Sequence, residues 1–157
     1  MSNPADEVRV VRLLEIEFDY LQRWIDKYEG ARFLIKGWAV TASGALLALS
    51  VTANRASLAF IGLGAVVVFA YIEVLLVYLQ DHVIARSNMV ERLLDSSARG
   101  QTPVNVEEYR FGISAAFKGR YQLRGLVRAL SGRPHIYVLH LALAGGLLAV
   151  ALLLVTT

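Results

Sequence analysis

No cysteine occurs anywhere in the 157 residues. Disulfides, cysteine-held zinc, iron–sulfur clusters, thiol catalysis and palmitoylation are therefore excluded. Proline is nearly as scarce, with three in the chain. Neither Gly nor Pro occurs between Ala65 and Gly100, so nothing local stops a helix running through that stretch. Charge is thin, at 18% of residues against 56% hydrophobic. Catalytic patterns are missing too: there is no HExxH, no Ser-His-Asp arrangement and no paired-carboxylate motif. The chain does not read as an enzyme, and no cofactor is expected. No Gly-rich loop cradles phosphates; Gly62-Leu63-Gly64 lies in an apolar run and reads as a packing feature. The first 30 residues carry seven acidic side chains and no apolar core, which argues against a cleaved signal peptide. The first apolar span is expected to act as the membrane signal itself.

What is present is three long runs almost free of charge. Residues 37–54 hold no charged side chain, residues 56–80 hold only Glu73, and residues 136–157 hold only His140 among the acidic, basic and histidine residues. Each approaches the ~20 residues that cross the hydrocarbon core of a bilayer. Three transmembrane helices are predicted, at about 36–54, 57–79 and 136–155. The sixteen Lys and Arg divide unevenly around these spans. Fifteen fall in the N-terminal arm and in the 81–135 connection, and only Arg55 falls in the short turn between the first two spans. The positive-inside rule puts the N-terminus and the long connection in the cytoplasm and the C-terminus outside. The sequence pI of about 9.4 reflects this bias and not a basic domain, so nucleic-acid binding is not expected.

The arm opens at Asn3-Pro4, a cap followed by Pro at the first helical position. Val11, Leu14, Phe18, Leu21, Ile25 and Tyr28 then recur at alternating spacings of three and four, an a/d seam about three heptads long. The seam has three possible covers: another cytoplasmic helix of this chain, a second copy, or the membrane surface. The second span should continue into the cytoplasm, with Val83, Val90, Leu93 and Leu94 as a weak apolar side, until Gly100-Gln101-Thr102-Pro103 breaks it. Asn105 with Glu108 resembles a capping box opening a helix that runs to about Leu130. Its last turns set Lys118, Arg120, Arg124 and Arg128 on one face, a stripe suited to anionic lipid head groups or to a phosphate-bearing cytoplasmic ligand such as a nucleotide signal. Small-residue faces at Gly37, Thr41 and Ala45, and at Ala142, Gly145, Gly146 and Ala149, permit close helix approach. His82, His135, Trp24, Trp38, Tyr71 and Tyr78 read as interfacial residues.

The costliest residue is Glu73. A carboxylate at the centre of a spanning helix costs roughly 2.5–3.5 kcal/mol on insertion scales. Counting outward from a turn near residue 55, Lys36 and Glu73 reach the same height, and His140 enters its span to a similar depth. One intramembrane layer of Glu73, Lys36 and His140 is expected. A Lys36–Glu73 pair that fixes helix register is one reading of it, and a polar lining for an ion or proton path is another. Lys36 could also snorkel to the interface without a partner. One Glu and one His do not make a metal shell.

Residues Tyr20 to Ala48, and above all Phe33-Leu34-Ile35-Lys36-Gly37-Trp38, resemble a pattern in small bacterial multipass membrane proteins of uncharacterised function, with a helical arm and an FLLKGW-like entry to the first span. Over roughly residues 15–95 the layout is also similar, more weakly, to the SLATT-type two-span proteins. That resemblance implies a pore-forming effector beside a nucleotide-signalling defence system; the third span departs from its two-span plan.

The expectation is an all-α integral membrane protein with three transmembrane helices and a cytoplasmic helical bundle. Its parts are a 1–35 amphipathic arm, spans at 36–54, 57–79 and 135–157, and a cytoplasmic region at 80–134. It is expected to form a homo-oligomer in a bacterial inner membrane. There it would act as an effector that perturbs the bilayer or conducts ions under cytoplasmic control. The alternative is a non-conducting scaffold or accessory subunit whose arm recruits a partner protein.

Overall fold

The computed structural model describes residues 4–100 and 134–156, and side chains from Val8 and from Tyr137 onward within those stretches. Lys118, Arg120, Arg124 and Arg128, and the capping box at Asn105, lie outside the described residues. Among the described residues every regular element is helical: α1 Pro4–Thr52, α2 Ala56–Ala98 and α3 Pro134–Thr156. All three are long and apolar enough to cross a membrane. At 1.5 Å per residue, α3 is about 35 Å long, close to the ~30 Å hydrocarbon thickness. By the same rise α1 and α2 are about 74 and 65 Å long, far more than a span requires.

The arm and the first apolar run are one helix, not two. Gly30 lies in mid-helix, where one glycine costs only about 1 kcal/mol against alanine, too little to break a helix of 49 residues. α1 ends at a Schellman-type turn. Arg55 N–H donates to the Ser50 carbonyl at 3.0 Å and Asn54 N–H to the Val51 carbonyl at 3.3 Å. Asn54 takes the left-handed conformation, φ 50°, which Asn tolerates better than most residues. Past the end of α2, Gly100 adopts φ 64°, a position where glycine carries no Cβ penalty.

The chain divides into two compact units. Among the described residues, the first contains α1 up to Tyr28 and α2 from Leu79 onward. Its core is Val10, Leu14 and Leu21 of α1 against Val83 and Val90 of α2, with Phe18, Trp24, Ile25, Tyr28, Leu93 and Leu94 packed around it. The deepest α1 stripe is Val10, Leu14, Glu17 and Leu21; Val11 and Phe18 are only half-buried. The seam is thus rotated from its expected phase, and its centre is a carboxylate. Glu17 takes both fork donors of Arg86, Nε to Oε1 at 2.9 Å and an Nη to Oε2 at 3.2 Å. Gln22 donates to the Ser87 hydroxyl at 3.0 Å. Arg9, Arg12, Glu15, Asp19 and Arg23 face outward.

The second unit contains, among the described residues, α1 from Glu29, α2 up to Tyr78, and α3. Near the α1–α2 turn its core is Ala59, Val66, Leu147 and Ala151, with Leu47, Leu63, Leu143 and Ala144 packed against them. Small residues let the helices close up here. A Cβ on Gly62 would stand 2.8 Å from a Leu147 methyl. The outer surface of this unit is apolar: Phe33, Leu34, Trp38, Val67, Leu141 and Leu153 are all exposed.

Candidate functional site

The second unit wraps an apolar surface around a charged centre. Glu73 has no solvent exposure. It lies on α2 two turns beyond Val66, on the same inward face, because seven residues return a helix to nearly the same side. Its two oxygens are divided between two helices. The His140 ring Nε2, from α3, meets Oε2 at 2.9 Å. Lys36 Nζ and an Arg32 guanidinium nitrogen, both from α1, approach Oε1 at 3.2 and 3.8 Å. Arg32 and Lys36 stand one turn apart, so α1 presents both to one carboxylate. The side chains of Lys36 and Arg32 keep 29% and 15% exposure, and that of His140 keeps 5%. The buried end of the cluster is therefore Glu73–His140, and its wetter end is the pair of α1 cations.

All three residues of the expected layer, Lys36, Glu73 and His140, meet here. Arg32 is an addition that sequence reasoning missed. Its signal was its i, i+4 relation to Lys36, hidden because Arg32 falls before the uncharged run and reads as part of the arm. The seam residues Leu14, Phe18, Leu21, Ile25 and Tyr28 lie in the other unit, against α2 of the same chain, with Val11 at the edge of the stripe.

Glu73 Oε1, His140 Nδ1 and the Ser43 hydroxyl are buried in this unit and have no hydrogen-bond partner among the described residues. The approach of Lys36 to Oε1 is thus an ion-pair contact without hydrogen-bond alignment. Buried polar atoms left in this way are uncommon and call for a physical reason. His140 cannot resolve its own. With Nε2–H donated to Glu73, Nδ1 is an acceptor without a donor. As a cation, it would be a donor without an acceptor.

Chemically, the cluster can hold one negative charge in an apolar unit, bind three helices through one side chain, and exchange a proton between an imidazole and a carboxylate. Among the described residues no group of three His, Cys, Asp or Glu is placed to hold a metal ion. Comparison with protein-family models, with curated proteins and with solved structures finds no match to this chain.

Proposed function

We propose that this chain is an oligomeric bacterial inner-membrane effector that conducts ions or perturbs the bilayer, controlled from the cytoplasmic side. One observation carries the reading. A fully buried Glu73, in contact with Lys36, Arg32 and His140, sits inside a unit whose outer surface is apolar. Ionisable residues at such depth are costly and cluster on ion or proton paths. Fifteen of the sixteen basic residues flank the spans on one side, which supports an N-terminus in the cytoplasm. Three spans enclose no pore alone, and the outward small residues support assembly. A Cβ on Gly37, Gly44, Gly145 or Gly146 would meet nothing within 4 Å among the described residues, leaving room for a second helix. The apolar layer of Val66, Leu147 and Ala151 corresponds to a shut state in this reading.

A second reading is a non-conducting scaffold in which Glu73 only ties helices together. It is favoured by the contacts that Glu73 makes, within one chain, to side chains of both other helices. Flux through proteoliposomes separates the two, with wild type beside Glu73→Gln. An effector loses or changes its flux while its assembly stays intact. A scaffold passes nothing in either form and loses stability instead.

A further inference from the structure

Beyond the cluster, the inward face of α1 continues to carry polar groups where packing alone would favour apolar ones. Lys36, Ser43 and Ser50 follow one another at seven-residue intervals, all turned inward. Ser43 and Ser50 are both at least nine-tenths buried. The row rises about 21 Å, from the Glu73 contact toward the α1–α2 turn. Ser50 donates to the Leu47 carbonyl at 2.7 Å, while Ser43 has no partner among the described residues. His140 offers a second unsatisfied atom, Nδ1, on the ring edge away from Glu73.

We infer that the species handled by this unit is the proton, and that it passes through His140 and Glu73 along the Ser43–Ser50 row. The inference rests on the conducting reading above and names its substrate. Every group on this path is one that relays protons: an imidazole with one nitrogen engaged and one open, a carboxylate, and two hydroxyls that both donate and accept. The step balances. A proton forms an N–H bond at Nδ1 of neutral His140 as the Nε2–H bond breaks, and the released proton forms an O–H bond at Glu73 Oε2. The imidazole ends neutral in its other tautomer, and Glu73 ends as the neutral acid. Rotation of the carboxyl group then brings that O–H to the partly exposed Lys36 end, where it gives its proton to water, and a flip of the imidazole ring restores the starting tautomer. Metal cations are disfavoured on the same track. Two fixed positive groups, Arg32 and Lys36, stand beside the one carboxylate, and like charge repels strongly at low dielectric. Successive groups of the row stand about 10 Å apart by helix rise, so the path in its open state requires several waters between them.

The test uses the full chain in proteoliposomes with a pH-sensitive dye inside, under separate gradients of protons, potassium, sodium and chloride, with and without added cytosolic extract. Proton flux at least tenfold above that of each other ion is expected. Glu73→Gln should abolish it, and Ser43→Ala should lower it several-fold. His140→Asn keeps an amide donor for Glu73 but cannot relay, so it should abolish flux while helix content and membrane extraction stay as in wild type. Potassium, sodium or chloride flux matching proton flux would overturn the inference and leave the conducting reading standing. So would full proton flux in His140→Asn. Silence toward every ion, with extract present and the chain shown to be inserted, overturns the conducting reading and this inference together.

Discussion

The two units share α1 and α2, α3 belongs to the second alone, and their exposed surfaces differ in character. In the first, α1 and α2 bury valine and leucine and expose charge. In the second, they expose phenylalanine, tryptophan and leucine and bury Glu73 with its partners. Among the described residues each unit has one fully buried carboxylate, and the two are held differently. Glu17 accepts two hydrogen bonds from the guanidinium fork of Arg86. Glu73 shares out its oxygens among three groups from two other helices, and Oε1 lacks an aligned donor. A bidentate arginine pair is a geometric clip. The Glu73 arrangement binds more elements with poorer hydrogen bonding, and it retains capacity to exchange a partner.

Removing each carboxylate is the strongest way to break this contrast. Glu73→Ala removes the carboxylate that Lys36, Arg32 and His140 share and should cost up to about 3–5 kcal/mol, the range for breaking a buried pair. By contrast, replacing both members of the other pair, Glu17→Met with Arg86→Leu, should be neutral or stabilise by about 1–4 kcal/mol. The measurement is reversible denaturant unfolding in one detergent. Equal losses from the two changes would show that the fork and the shared carboxylate do the same job.

A buried apolar side chain in one unit and an exposed one in the other offer the next distinction. Leu14 is fully buried in the first unit, so Leu14→Ala should cost about 2–5 kcal/mol. Phe33, on the second unit, is larger but 79% exposed, and Phe33→Ala should stay within about 0.5 kcal/mol in micelles. A large loss at Phe33 would mean that another chain or segment covers that face.

Glycines sharpen the comparison within the second unit itself. Gly62→Ala puts a Cβ 2.8 Å from one Leu147 methyl and 3.4 Å from Leu46 Cβ. Leu147 is itself fully buried, so the collision should cost about 1–3 kcal/mol. Gly44→Ala meets open space and should gain up to about 1 kcal/mol from helix propensity in a monomer. Cross-linking at matched protein-to-detergent ratios gives the second readout: loss of an oligomer with Gly44→Ala would assign that face to self-association.

Much of this was legible in the sequence, for reasons that differ between the units. The three apolar runs needed only length and the scarcity of charge. The meeting of Lys36 with Glu73 followed from equal counting on either side of a short turn, because two antiparallel helices of equal rise keep their heights matched. The first unit was harder. A heptad pattern tells which side of α1 is apolar to within about one residue, and it treats a charge as outward by default. Glu17 breaks that default, since its partner Arg86 arrives from 69 positions away, a pairing no local pattern carries. Arg32 was missed for a related reason: a boundary drawn between residues 35 and 36 put it in the arm, one turn away from Lys36 on the same helix.

The smallest expected effect concerns the turn that sets this counting. Asn54 is held at φ 50°, a conformation that costs most L-residues roughly 1–2 kcal/mol and Asn less. Asn54→Ala should therefore cost about 1 kcal/mol, and Asn54→Gly should be neutral or slightly favourable, because glycine has no Cβ to clash. Stability alone would not show whether the turn also sets register. If it does, Asn54→Ala and Glu73→Gln should be non-additive, since loosening the turn lets Lys36 and Glu73 slip relative to each other. A double-mutant cycle measures this directly. Additivity within about 0.3–0.5 kcal/mol would mean that the cluster holds its own register and that the turn only joins two helices already fixed by Glu73.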